Sequence, residues 1–404
     1  MFFESAQKGS DNMAIRIKQA VKLNICMLFL AFVLAGCADV STKPISDNSA
    51  AITEAGSETD SVQETDSTQA LATVTDAEGS TCPQSVAVYT FDLSPDSVFQ
   101  GDKAFGNMGD YNIRFKADVD FFDGLQIGKG IEGEYWGWNM RISDGSVQIV
   151  DAQTQEELDT FPFNLEVKDY VAVQIAVDLQ GKALVQISTN GGYIEREVPC
   201  ENGNGTLYVN AVGQTSLSDC RLSYECNGWN KSIWLYGDSY FSMTADDRWT
   251  SYLLKNGSSN IMLNAYSGKT SEVALQSLQN DLQYGTPEKV IWCMGMNDGD
   301  VDGQINESWL ACLKQVEDLC KERDIELILA TIPTCPYWNN DAKNPYVQSS
   351  GYRYIDFAGA VGAYDSMTWY EGMLEETEPR IHPTTEGARA LYYEAVATVP
   401  ELGR

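Results

Sequence analysis

The sequence predicts two folded domains of different class, an all-β sandwich over 82–227 and an α/β domain with a parallel sheet over 228–404. The first region alternates apolar and polar residues with a period of two, which is typical of antiparallel strands with one buried face. The second region alternates short apolar strands with helical patterns, which indicates a parallel sheet covered on both faces. Two further segments precede these domains.

The N-terminal segment 1–36 is predicted to be a secretory signal. It is cationic and ends in the apolar run LNICMLFLAFVLAG, directly before Cys37. A basic stretch, a short apolar stretch and small residues at its end are the features of such signals. Residues 34–37, Leu-Ala-Gly-Cys, also resemble a bacterial lipobox. That resemblance implies that Cys37 is lipidated and anchors the protein at the outer face of a cell membrane; an ordinary secretory signal is the alternative.

The following segment, 37–81, is predicted to be a disordered tether. From position 38 to 81 it has nine acids, one base and no aromatic residue. Such a composition buries too little apolar area to offset the entropy lost on ordering. Repulsion between its acids would keep it extended.

Charge balance and histidine count exclude several kinds of function. The chain has 58 Asp and Glu against 27 Lys and Arg, a net charge of −31, which argues against nucleic acid as a partner. His382 is the single histidine, so metal sites built from several imidazoles cannot form within the chain. We therefore expect no metal and no cofactor, and His382 is the one candidate imidazole base.

Seven period-two segments support the sandwich: 86–92, 111–121, 134–142, 146–151, 170–179, 183–189 and 206–212. The stretches 109–121 and 170–192 resemble concanavalin-like or laminin-G-like jelly rolls. Trp136 and Trp138 would share one face of a strand, where packing in the core is favoured over stacking on a sugar. An exported domain with cysteines at 82, 200, 220 and 226 would accommodate one or two disulfides.

The α/β domain is predicted from strands at 232–236, 260–264, 289–294, 326–332 and 353–357, with helices at 246–255, 271–282, 308–323 and 386–399. In parallel sheets, ligands gather beyond the C-terminal ends of the strands. Ser239, Gly268 and Asn297 follow the first three strands, and His382 precedes the last helix. Together they offer a hydroxyl, a backbone donor, an amide and an imidazole, which is the set that acyl transfer requires.

This order of residues resembles the SGNH (or GDSL) hydrolase family across 228–404. The resemblance implies a three-layer, flavodoxin-like fold with Ser239 as nucleophile and His382 as general base and then acid. It also implies an oxyanion hole formed by the backbone N–H groups of Ser239 and Gly268 and the side chain of Asn297.

The sequence departs from this family at the residue that orients the histidine. Family members usually carry Asp three residues before the histidine, where this chain has Pro379. One hypothesis is that Glu378, the last residue of an acidic run, replaces it from a shifted loop. The favoured hypothesis is a Ser–His dyad in which a backbone carbonyl orients the imidazole of His382.

Other side chains near the strand ends are weaker candidates. Tyr240, Trp338 and Trp369 are hypothetical substrate contacts, with packing an equal alternative. Residues 298–303, Asp-Gly-Asp-Val-Asp-Gly, match the first half of a calcium loop, but the twelfth position is Trp309 instead of a bidentate Glu. A solvated acidic loop is therefore favoured over a calcium site.

These predictions describe an extracytoplasmic, lipid-anchored serine esterase that removes O-acetyl groups from a polysaccharide or oligosaccharide, without a metal, a cofactor or an obligate protein partner. One alternative is a lipid-directed esterase or thioesterase on the same fold. The other is a non-catalytic glycan-binding protein of the cell surface.

Overall fold

The computed structural model describes residues 86–106, 109–130, 138–143, 145–151, 156–179, 181–200, 205–241, 248–335, 340–363, 368–376 and 380–403. The predicted signal, Cys37 and the predicted tether lie outside these residues. Within the described ranges, no helix is long and apolar enough to span a membrane.

The N-terminal part is a sandwich of two antiparallel sheets with six strands each. The strands are β1 (Ala87–Leu93), β2 (Val98–Phe105), β3 (Tyr111–Phe121), β4 (Gly124–Lys129), β5 (Trp138–Ser143), β6 (Ser146–Asp151), β7 (Glu157–Pro162), β8 (Tyr170–Val177), β9 (Lys182–Thr189), β10 (Gly192–Pro199), β11 (Gly205–Val212) and β12 (Ser216–Cys226). One sheet has the order β1-β12-β3-β8-β9-β10 and the other β2-β11-β4-β5-β6-β7. Alternate side chains of both sheets are buried between them, as the period of two predicts.

Within the described residues, each of the seven predicted segments overlaps a strand, and five further strands were not predicted. Two of these five strands, β10 and β12, show why the sequence pattern did not reveal them. β10 lies at a sheet edge and is mostly exposed, so its sequence carries no apolar alternation. β12 is irregular in register between Ser218 and Arg221, which breaks the period along its length.

The sandwich contains the two tryptophans and the cysteines whose roles were predicted from the sequence. Trp138 is 1% exposed and its Nε1 donates to the hydroxyl of Tyr111 at 3.0 Å, so it belongs to the core; Trp136 lies outside the described residues. Cys220 and Cys226 are buried thiols that form no disulfide, which contradicts any pairing that uses them. Both lie in strand β12, whose inward positions are filled by the core.

The C-terminal part is a five-stranded parallel sheet with helices. Its strands are β13 (Ile233–Gly237), β14 (Ile261–Ala265), β15 (Lys289–Cys293), β16 (Glu326–Ala330) and β17 (Arg353–Ile355), and β18 (Gly362–Ala363) pairs separately with β19 (Thr368–Trp369). The helices are α1 (Trp249–Lys255), α2 (Ser271–Asp281), α3 (Glu307–Glu322), α4 (Lys343–Ser349), α5 (Phe357–Val361) and α6 (Thr385–Thr398). The order β14-β13-β15-β16-β17 is the 2-1-3-4-5 order of flavodoxin-like sheets. It places the switch point, where ligands bind in such folds, between β13 and β15.

The sandwich and the parallel-sheet domain share a polar and aromatic contact around Trp229. The indole of Trp229 stacks on Tyr284 with ring centroids 4.3 Å apart, and its Nε1 donates to the carboxylate of Asp281 at 2.8 Å. The backbone N–H of Ala265 donates to the carbonyl of Gly106 at 3.2 Å. Trp229 also packs edge-on against Tyr224 of β12, with ring centroids 5.7 Å apart. These contacts join the sandwich to the edge strand β14 and to helix α2.

Candidate active site

Ser239 lies on a tight turn at the C-terminal end of β13. It begins the short 3-10 helix Ser239–Phe241, in which Phe241 N–H donates to the carbonyl of Asp238 at 3.1 Å. Gly237 permits this turn, because a Cβ there would lie 2.1 Å from the ring of Phe241. The turn leaves the Ser239 side chain half-buried at the edge of the sheet, beside the switch point.

Asp238 stabilises the turn and is not placed as a base for Ser239. Its carboxylate is buried and accepts the backbone N–H of Tyr240 at 3.1 Å. Burial raises the pKa of Asp238 to about 6, and the backbone N–H groups of Tyr240 and Met296 act in the opposite direction.

His382 is within hydrogen-bonding distance of Ser239. Its Nε2 lies 2.9 Å from Ser239 Oγ, so the pair has the geometry of a base and the hydroxyl it deprotonates. The histidine loop is held by an isolated antiparallel bridge between Leu374 and Pro383, and Thr384 caps α6 by accepting the N–H of Gly387. The imidazole that precedes the last helix in the sequence therefore lies against the Ser239 hydroxyl.

Glu375 provides the carboxylate beside the imidazole, a residue that sequence reasoning missed. Its Oε1 lies 3.6 Å from His382 Nδ1 and accepts the backbone N–H of His382 at 3.3 Å. The backbone N–H of Glu375 in turn donates to the carbonyl of His382 at 3.1 Å. Glu378, the carboxylate suggested by the sequence, and Pro379, which stands three residues before His382, lie outside the described residues. The sequence does show an acidic run before the histidine. Glu375, seven positions before His382, reaches the imidazole only because the loop folds back, with Leu374 paired to Pro383.

Tyr240 fixes the histidine loop rather than facing a substrate. The side chain is 5% exposed, and its hydroxyl donates to the carbonyl of Ile381 at 2.6 Å. Its ring meets those of His382 and Trp369 edge-on, with centroids 5.9 and 6.4 Å away. Burial leaves it no face for a sugar, so the predicted substrate contact at Tyr240 is better explained as positioning.

Trp369 is the aromatic candidate that stays partly exposed. It belongs to β19, and its Nε1 donates to the carbonyl of Thr334 at 2.6 Å. This bond orients the indole next to Tyr240. Trp338 lies outside the described residues.

Gly268 and Asn297 lie on two loops that are linked to each other. Gly268 occupies a turn closed by Lys269 N–H and the carbonyl of Tyr266 at 3.1 Å, and its φ of +69° is one that glycine adopts without strain. The Asn297 side chain donates from Nδ2 to the carbonyl of Lys269 at 2.9 Å. An amide nitrogen has two hydrogens, so this bond orients the group and leaves a second N–H for another acceptor.

The acidic loop after β15 is solvated only in part. The side chains of Asp298 and Asp300 are buried, which contradicts the expectation for these two carboxylates, whereas residues 301–303 are exposed, as expected. Asp298 is 4% exposed and accepts the backbone N–H and the hydroxyl of Ser271, at 3.0 and 2.9 Å from Oδ2. Asp300 pairs with Lys343 at 2.9 Å, and both side chains are 0% exposed. Within the described residues, no group of three or more acids, cysteines or histidines is arranged to hold a metal ion. These carboxylates instead link the Asn297 loop to α2 and α4.

Arg248, directly before α1, contacts Ser239. Its Nε donates to the backbone carbonyl of Ser239 at 2.6 Å. This bond holds the Ser239 carbonyl in place and does not use the Ser239 N–H. The cation was not singled out from the sequence, because nothing in its local pattern distinguishes it from a surface arginine.

Neither a protein-family model nor a curated protein matches the sequence. Among solved structures, the chain is similar to a protein assigned to the G-D-S-L lipolytic family from Desulfitobacterium hafniense, with 18% identity, 42% of this chain and 100% of that chain covered, and a TM-score of 0.35. It is also similar to a variant of an acetyl-xylooligosaccharide esterase from a Geobacillus species, with 17% identity, coverage of 44% and 96%, and a TM-score of 0.33. A third similar structure is sheep galectin-11, with 15% identity, coverage of 32% and 97%, and a TM-score of 0.23. The function is therefore argued from the geometry of the site.

Proposed function

We propose that the protein is a serine ester hydrolase of the SGNH kind. The observation that carries this proposal is the 2.9 Å approach of His382 Nε2 to Ser239 Oγ at the C-terminal edge of a parallel sheet. A serine hydroxyl is a weak nucleophile until a base removes its proton, and this imidazole is in position to do so. Glu375, on the far side of the ring, completes a Ser-His-Glu arrangement.

The reaction follows from these positions. As Ser239 Oγ bonds to the carbonyl carbon of the ester, His382 Nε2 takes the hydroxyl proton, and the nearby carboxylate of Glu375 stabilises the imidazolium. The oxyanion is bound by the backbone N–H groups of Ser239 and Gly268 and by the second N–H of Asn297. When the intermediate collapses, the ester C–O bond breaks and His382 returns the proton to the leaving alcohol. Water then attacks the acyl-serine by the same route and releases the carboxylic acid.

The proposed substrate is an O-acetylated carbohydrate outside the cytoplasm. The predicted export signal with Cys37 as a lipid anchor, and the attachment of the catalytic domain to a β-sandwich, support a polymeric or surface-bound substrate. The sandwich is proposed to be of the jelly-roll kind. The substrate class is inferred from the pairing of the two domains, and ester hydrolysis from the geometry of Ser239 and His382.

Hydrolysis of 4-nitrophenyl acetate tests the proposed chemistry. Ser239→Ala and His382→Ala should each lower kcat by roughly 10³-fold or more, because the nucleophile or its base is lost. Ser308→Ala is the matched control, since this exposed serine of α3 should leave kcat unchanged. A fluorophosphonate probe should label the native chain and not Ser239→Ala. Full activity in either active-site variant would show that the assignment is wrong.

Two further measurements test the substrate class. Acetate release from a panel of acetylated polysaccharides should exceed release from acetylated lipids. In a series of 4-nitrophenyl esters from acetate to octanoate, kcat/KM should be highest for acetate. A maximum at octanoate would favour the lipid-directed alternative, and an absence of labelling at Ser239 would favour the non-catalytic one.

A further inference from the structure

A groove of about 390 Å³ crosses the solvent-facing side of the sheet β1-β12-β3-β8-β9-β10 and belongs to no part of the active site. Outward-facing residues of five adjacent strands form it in two rows. Cross-strand pairing gives one row as Arg221, Lys116, Ala172, Ser188 and Tyr193. Because neighbouring strands are about 4.8 Å apart, this row is about 19 Å long. That length suits a chain of several sugar rings rather than one small molecule.

The charge of the groove is opposite to that of the chain. Its lining includes three cations, Arg114, Lys116 and Arg221, and no carboxylate, although acids outnumber bases 58 to 27 in the sequence. Arg114 is paired with Glu225 at 2.8 Å. Across the described residues, neither Lys116 nor Arg221 forms an ion pair. A local positive potential on an acidic protein indicates an anionic ligand.

Lys116 and Arg221 face each other directly across strands β3 and β12. Like charges in such a cross-strand pair repel each other and destabilise the sheet. Both side chains are exposed, so neither fills the core. An anion bound between them would relieve the repulsion, as a third charge of opposite sign.

The rest of the groove has the chemistry of a carbohydrate site. The second row carries the amides of Gln174 and Gln186 from adjacent strands and ends at Glu195, which accepts from Gln186 Nε2 at 2.7 Å. The Gln174 amide and the side-chain oxygen of Gln186 can bond to sugar hydroxyls. Tyr193 closes the first row and is 56% exposed, so its ring offers a flat apolar surface to a pyranose. Its hydroxyl donates to Glu195 at 2.5 Å, which holds the ring in place.

We propose that this groove binds an acidic oligosaccharide, with a uronic-acid carboxylate between Lys116 and Arg221 and a sugar ring on Tyr193. An extended peptide is disfavoured, because peptides usually add to a sheet at its edge through main-chain hydrogen bonds and this groove lies on a face. The site is separate from Ser239 and does not depend on hydrolysis. It would hold a charged, uronate-bearing chain on the protein whichever ester the catalytic domain cleaves.

Calorimetric titration of the full chain with unacetylated tetragalacturonic acid tests this proposal, with the neutral xylotetraose for comparison. The chain should bind tetragalacturonic acid more tightly, and binding should weaken as salt is raised. The double variant Lys116→Gln/Arg221→Gln should lose about tenfold or more in affinity, because hydrogen bonds from cations to a carboxylate are removed. Tyr193→Ala should weaken binding of both sugars.

A matched control removes the same charge from the same domain. Lys168→Gln/Lys182→Gln also deletes two exposed cations, but each of these already pairs with a glutamate, at 2.7 and 2.8 Å. This control should bind as the native chain does. Every variant should keep its aryl acetate hydrolysis, and the thermal midpoint of Lys116→Gln/Arg221→Gln should not fall, because that change removes a repulsion between like charges. An equal loss of affinity in the control would show that the effect depends only on the net charge of the protein. No binding by the native chain, or equally tight binding of tetraglutamate, would overturn the proposal.

Discussion

Replacement of Glu375 by glutamine tests the role of the carboxylate that the structure places beside His382. The glutamine has the same shape and can still accept the His382 N–H through its side-chain oxygen, so the change removes charge and little else. During attack by Ser239 the imidazole becomes positively charged. Glu375→Gln therefore deprives the transition state of a stabilising charge without moving the loop.

The distance and exposure set the size of the effect. Two unit charges 3.6 Å apart attract each other by about 1 kcal/mol at the dielectric constant of water and about 5 kcal/mol at an effective value of 20. Both side chains are about a quarter exposed, 26% and 27%, so solvent screens the pair substantially. We expect a loss of roughly 1–2 kcal/mol, a five- to thirtyfold fall in kcat. This is far below the roughly 10⁴-fold loss when a buried triad carboxylate is neutralised.

The assay is the steady-state hydrolysis of 4-nitrophenyl acetate at low and high salt. The fall in kcat for Glu375→Gln should shrink as salt is raised, because the pair is partly exposed. Glu376→Gln is the matched control, since it makes the same charge change on the adjacent, exposed residue. Its kcat should equal that of the native chain.

Two results would refute this reasoning. Unchanged kcat in Glu375→Gln would show that a dyad suffices and that a backbone carbonyl orients the ring. A larger fall in Glu378→Gln than in Glu375→Gln would return the role to the residue suggested by the sequence.

Three further predictions concern Tyr240 beside the site, Asp281 at the contact between the domains, and the buried pair of Lys343 and Asp300. Tyr240→Phe removes the hydroxyl that donates to the Ile381 carbonyl, so kcat should fall several-fold with KM unchanged, as steady-state kinetics would show; an altered KM alone would contradict a positioning role. Burial raises the pKa of Asp281 to about 6, above that of an unfolded aspartate. Between about pH 4 and 6 the native state therefore keeps a proton that the unfolded state releases. This contribution to stability is present below about pH 4 and is lost as the pH rises to about 6. Urea unfolding should show this pH dependence reduced by on the order of 3 kcal/mol in Asp281→Asn, and an unchanged dependence would refute the shift. Lys343→Met leaves Asp300 buried without its cation and should lower the free energy of unfolding by about 3–5 kcal/mol; a double variant that also replaces Asp300 by leucine should recover part of that loss.

Strand and helix prediction succeeded where a single period covers the element. All five parallel strands and four helices of the α/β domain were predicted within a few residues, because each is continuously apolar or amphipathic. Helices α4 and α5 were missed. Helix α5 has only five residues, and the buried positions of α4 include the polar Lys343 and Asn344, so neither shows an apolar helical period. The sandwich strands that were missed are mainly those whose pattern is interrupted by exposure or by a bulge.

The residues of the candidate site also fall into two groups, those that the sequence indicated and those that only the structure located. The sequence by itself indicated Ser239, Gly268, Asn297 and His382, because residue type and order at strand ends are local information and parallel strands bring those ends to one edge. Only the tertiary structure decided that Glu375 lies beside the imidazole, since this depends on how the loop folds back. The burial of Asp298 and Asp300 and the groove on the sandwich are likewise determined by the pairing of distant segments. Spacing along a chain does not encode a distance across a hairpin or a row across five strands, because register and loop path are set by packing of the whole domain.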